Sequence, residues 1–121
     1  MSHPAKSVFV FAIYLIVLGV TLLFIPNVLL GVFDFPETTE VWIRVVGMLL
    51  VLLAFYYINA ARKELNAFFK WTVYARSSVI VFFLVFVLMD LAQPILLLFG
   101  VIDLLAAIWT GLALRSPKSV S

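Results

Sequence analysis

The 121 residues include no cysteine, which excludes disulfides, a thiolate nucleophile, an iron–sulfur cluster and a thiol relay. The single histidine is His3, at the N-terminus and outside the apolar stretches, so neither paired-histidine haem ligation nor a histidine metal site within such a stretch can be built. Charge is scarce as well. Only 12% of residues are Asp, Glu, Lys or Arg, whereas a soluble domain carries about 25%. No cofactor, metal site or catalytic constellation is expected from this set.

Apolar residues fill the space that charge leaves. They make up 66% of the chain, with 12 Phe, and the mean hydropathy is +1.26. A soluble domain is about 45–50% apolar, so the solvent that suits this composition is lipid. The basic pI near 9.2 does not point to nucleic acid, because the eight Lys and Arg form no dense patch. Size allows one integral membrane domain over 1–121.

About 20 apolar residues, at about 1.5 Å each, cross a hydrocarbon core of about 30 Å. Four stretches qualify, at about 7–25, 41–61, 72–92 and 95–114, with a flexible tail expected at 115–121. Helix is the only option at these lengths, since lipid offers no partner to an unpaired backbone group. The first stretch is too long for a signal-peptide core and has no small-residue cleavage site before Pro26, so it reads as a retained span. The expected fold is all-α, a bundle of four transmembrane helices.

Orientation follows from the short loops. Lys6, Arg62, Lys63, Lys70, Arg115 and Lys118 all fall on one side of a four-span arrangement. The opposite loop, 26–40, holds Asp34, Glu37 and Glu40 and no basic residue. Both termini are therefore expected in the cytoplasm, in a bacterial cytoplasmic membrane. In the outer loop, Pro26 suits the first position of a short interfacial helix. Thr38 or Thr39 then serves as the cap of span two, with Glu40 in its first turn. The inner loop, 62–71, has the pattern of a second short interfacial helix with Phe68, Phe69 and Trp71 in the headgroups.

An ionisable side chain at the centre of a span costs about 2.5–3.5 kcal/mol on insertion scales, so each one requires a reason. Four stand in the spans: Arg44, Arg76, Asp90 and Asp103. Helical spacing puts Glu40, Arg44, Gly47, Val51, Ala54, Ile58 and Ala61 on one face of span two. The same spacing aligns Gly100, Asp103, Ala107, Thr110 or Gly111, and Leu114 in span four. Small residues on these faces favour close helix approach. Arg76, Phe83 and Asp90 share a face of span three, and Ser7, Tyr14 and Thr21 a face of span one. Depth pairs Arg44 with Asp90, Asp103 or both, with Glu40 completing a candidate polar cluster that either pins the bundle or handles a ligand or ion. Arg76 is expected to snorkel to lipid phosphate or to meet Glu64. With Tyr56, Tyr57, Tyr74 and Trp109, it makes a candidate set of lipid or ligand contacts at the inner boundary.

Four short spans with both ends inside, and the stretch Val101-Ile102-Asp103-Leu104-Leu105-Ala106-Ala107-Ile108-Trp109-Thr110, resemble the small bacterial tetraspan proteins grouped as DoxX-like and neighbouring uncharacterised families. The resemblance covers most of the chain and lies in layout and composition. It implies an accessory subunit of a membrane complex, sometimes one of redox character. The absence of cysteine departs from a redox role, and no functional residue carries over.

Three functions fit these features. The first is a non-enzymatic accessory or structural protein, acting through a membrane partner or as a homo-oligomer and contacting membrane lipids. The second is an oligomeric transporter or channel protomer with Arg44, Asp90 and Asp103 along its path. The third is a lipid- or isoprenoid-modifying enzyme using the two aspartates, which lack a third ligand or a DxxD-type pattern.

Overall fold

The computed structural model describes residues 1–115, and all regular structure among them is helical. Five helices follow in order: α1 (His3–Phe24), α2 (Pro26–Val32), α3 (Trp42–Arg62), α4 (Asn66–Leu88) and α5 (Leu96–Arg115). All but α2 are long and apolar enough to cross a membrane. Of the expected flexible tail, Arg115 closes α5, and residues 116–121 lie outside the described residues.

Local chemistry sets the helix ends. Ser2 caps α1, its Oγ accepting from the N–H of Ala5 at 3.2 Å, an N-cap geometry. Pro26 opens α2 as expected, where its missing N–H leaves no orphan. The expected cap of α3 is corrected. Its first turn hangs from the Val41 carbonyl, which accepts from Arg44 and Val45. Thr38 instead closes a local turn by accepting from the N–H of Glu40, and no acid stands in the first turn of α3. The separate inner helix is corrected too. Asn66 to Trp71 belong to α4, because nothing in that stretch breaks a helix.

Three helices end in the same way. Asp34, Glu64 and Asp90 each take a left-handed backbone conformation, with φ of 62°, 55° and 59°. The N–H groups of Phe35, Leu65 and Leu91 reach back to the carbonyls of Leu30, Ala60 and Phe86, and the acid N–H groups to those of Gly31, Ala61 and Val87. This double bond pattern is a Schellman motif with an acid where glycine usually stands.

The residues form two compact units. One unit, 9–59, holds most of α1, all of α2 and most of α3. Its helices α1 and α3 meet at two glycines. A methyl group on Gly19 would lie 2.8 Å from the Gly47 carbonyl oxygen, and one on Gly47 would lie 2.6 Å from that of Gly19. Only glycine permits that backbone approach, which is how helices in lipid gain packing without a hydrophobic drive. The other unit, 1–8 with 60–121, joins the start of α1 and the end of α3 to α4 and α5. Gly100 faces Ile80 and Phe83, Thr110 meets Arg76, and Gly111 faces Val73, so α4 and α5 run antiparallel.

Candidate functional site

The most densely bonded polar group of the 1–8/60–121 unit centres on Arg76. Its side chain is 2% exposed, and Thr110, Ser7 and Thr72 around it are buried. Nε donates to the Thr72 carbonyl at 3.2 Å, and Nη2 donates to Thr72 Oγ1 at 3.0 Å and to Thr110 Oγ1 at 2.8 Å. Thr72 lies four residues before Arg76, on the same face one turn away, so α4 supplies part of this cradle by itself. Thr110 comes from α5.

Hydroxyl chemistry fixes the direction of the bonds behind it. Ser7 has one hydroxyl hydrogen, and it goes to the Pro4 carbonyl at 2.7 Å. The 2.6 Å contact between Ser7 and Thr110 is then a bond donated by Thr110. A directed chain results, from Arg76 through Thr110 and Ser7 to the backbone of Pro4. Each donor in it is made stronger by the one before, starting from a full positive charge. Asp103, half-buried two turns before Thr110 in α5, is near enough for its charge to interact with that of Arg76.

The snorkelling expected of Arg76 is therefore corrected. A guanidinium with acceptors supplied by Thr72 and Thr110 has no cause to reach for headgroups, and this one is buried among them. The other inner-boundary candidates divide. Tyr56 and Tyr74 are well exposed, Trp109 is 46% exposed, and Tyr57 is buried with its ring centroid 5.9 Å from that of Phe11.

The residues of the expected polar cluster are divided between the two units. Arg44 is exposed and donates through Nη1 to the carbonyls of Leu23 and Phe24. These are the last carbonyls of α1, which lack helical partners and carry the negative end of the helix dipole, so Arg44 caps α1. Glu40 is exposed just before α3. Both belong to the 9–59 unit, whereas Asp90 and Asp103 belong to the other. Asp90 lies beyond the end of α4 in an exposed turn, not on the helical face of Arg76 and Phe83.

At the same end of the unit as Arg76, the Ser2 N–H donates to Glu64 Oε2 at 3.0 Å. Hydrogen bonding from the Ser2 side chain holds the Glu64 carboxyl below its ordinary range. The Ser2 N–H and the N-terminal charge act the same way, against an opposing effect of burial.

Sequence reasoning missed Thr72 and Gly19. The first was visible as a hydroxyl four residues before a span arginine, and the second as the only glycine of span one. No family model matches the chain, and neither a curated protein nor a solved structure does.

Proposed function

We propose that the chain is a multi-pass protein of a bacterial cytoplasmic membrane, with both termini inside, acting as a non-enzymatic accessory subunit or as a homo-oligomer. The observation that carries this reading is the use made of the buried polar groups. Arg76, Thr72, Thr110 and Ser7 bond to one another and to nearby carbonyls, and none is more than 4% exposed. A group built in this way joins α4, α5 and the start of α1 through bonds made within the protein. What the chain offers outward is long apolar helix faces, the surface by which membrane subunits associate. The loop charges support the orientation.

A second reading, an oligomeric transporter or channel protomer, is favoured by Asp103 alone, an ionisable group half-buried within a helix of spanning length.

The test is purification from native membranes in mild detergent, with the mass of the particle measured by light scattering and its subunits identified by mass spectrometry. A fixed-stoichiometry partner or a defined homo-oligomer, silent in liposome flux assays, is the expected result. A particle that moves ions or solutes across liposomes, with the flux lost in Asp103→Asn, would replace this reading with the second.

A further inference from the structure

The 1–8/60–121 unit gathers Lys6, Arg62, Lys63, Lys70 and Arg115 at one end, all exposed, where the first turns of α1 and α4 meet the last turns of α3 and α5. The single acid there, Glu64, is engaged by Ser2. Two of the cations are placed more closely than topology alone requires. Val73 of α4 faces Gly111 of α5, and Arg76 bonds to Thr110, which fixes the antiparallel register. Lys70 is three residues before Val73, and Arg115 is four after Gly111, so each lies one turn from that contact on the same face. Both steps lead toward the same end, which sets Lys70 and Arg115 side by side across the mouth of the α4–α5 groove.

The floor and far wall of that groove are apolar. A methyl group on Gly111 would lie 3.7 Å from Val73, ordinary contact distance, so the seam between α4 and α5 is apolar there. Ile108 and Leu104 continue the Arg115–Gly111 stripe along α5, at three- and four-residue steps. Ile108 is 47% exposed. The cationic pair thus stands at one end of an apolar stripe along the α4–α5 seam.

We infer that this groove binds one anionic glycerophospholipid, its phosphate held between Lys70 and Arg115 and an acyl chain lying along Val73, Gly111, Ile108 and Leu104. A guanidinium offers a planar fork to phosphate oxygens and an ammonium a compact charge, so the pair suits a phosphodiester better than a zwitterionic headgroup, whose own cation is repelled. The inference rests on the chain spanning a membrane, and not on which way round it does so.

Native mass spectrometry of the detergent-purified protein, titrated with equal amounts of phosphatidylglycerol and phosphatidylcholine, tests it. The expected result is a predominant one-to-one phosphatidylglycerol adduct. Lys70→Gln or Arg115→Gln alone should lower the preference by on the order of fivefold, given about 1 kcal/mol per basic residue toward anionic lipid. The double variant should abolish it, while Lys70→Arg with Arg115→Lys keeps it. Lys6→Gln with Lys63→Gln removes as much charge from the same end and should leave the preference intact. Equal adducts of both lipids on the unaltered protein would overturn the proposal. Equal losses in the two neutralised pairs would do so as well, because they would mean diffuse attraction. Failure of the membrane-spanning reading would show separately, as a protein recovered without detergent.

Discussion

Arg76 Nη2 donates to Thr110 Oγ1 at 2.8 Å, joining α4 to α5 through two side chains that water does not reach. Thr110 accepts from Arg76 on one side and donates to Ser7 on the other. Thr110→Val keeps the shape and removes both bonds, leaving buried donors and acceptors without their partner. The expected loss is about 1–3 kcal/mol, read by reversible unfolding in mixed micelles. Thr110→Ser keeps the hydroxyl and should lose clearly less. Equal losses would mean that packing of the methyl group matters and the hydroxyl does not.

The Gly19–Gly47 crossing is expected to be intolerant in a way that the other glycines are not. The atom nearest a new methyl group is backbone on both sides, so relief requires the helices to separate. Gly19→Ala should cost about 1–3 kcal/mol, as overpacking does. Gly31→Ala, with nothing within 4 Å of the new group, should be neutral or mildly stabilising. The same unfolding assay compares the two.

Much of the fold could be read in advance because lipid makes long apolar runs unambiguous. Four such runs predicted four helices of spanning length, and Pro26 predicted α2. Small residues marked interior faces well, since Gly47, Ala54 and Ala61 in α3 and Gly100, Ala107 and Thr110 in α5 are all buried. Polar residues were harder. Seven-residue spacing put Asp90 on the face of Arg76, but that spacing holds only while the helix lasts, and α4 ends at Leu88. Depth also misled for Arg76, because the acceptors that hold it include hydroxyls and a carbonyl, which a charge count does not look for. Arg44 illustrates the same limit: backbone carbonyls at a helix end are invisible to residue type.

Asp90 gives a direct check on the helix ends. Its left-handed conformation suits glycine best and β-branched residues worst. Asp90→Gly should stabilise by up to about 1 kcal/mol, and Asp90→Val should destabilise by about 1–2 kcal/mol. A loss of stability in the glycine variant would show that the carboxylate itself has a role beyond the turn.

Glu64 predicts a pH dependence of defined sign. Its carboxyl is held below the ordinary 4.5, so the folded state favours the ionised form. The stabilisation is complete above 4.5 and is lost as pH falls through the lower folded value. Hydrogen exchange at the start of α1 should therefore quicken in acid, once corrected for its intrinsic rate. Glu64→Gln should show raised exchange at neutral pH and no further corrected change on acidification. An unaltered acid response in that variant would assign the effect to another group.

The account depends most on a chain that crosses the membrane four times with both ends inside, and a sequence without cysteine allows a clean measurement. Thr39 and Ala67 are exposed, one before α3 and the other at the start of α4. Each is replaced by cysteine singly, and whole cells, or spheroplasts where an outer membrane intervenes, are treated with a membrane-impermeant maleimide before and after lysis. Thr39→Cys is expected to be labelled on intact cells and Ala67→Cys only after lysis. Labelling of Ala67→Cys from outside, with Thr39→Cys protected until lysis, would invert the topology and contradict the account.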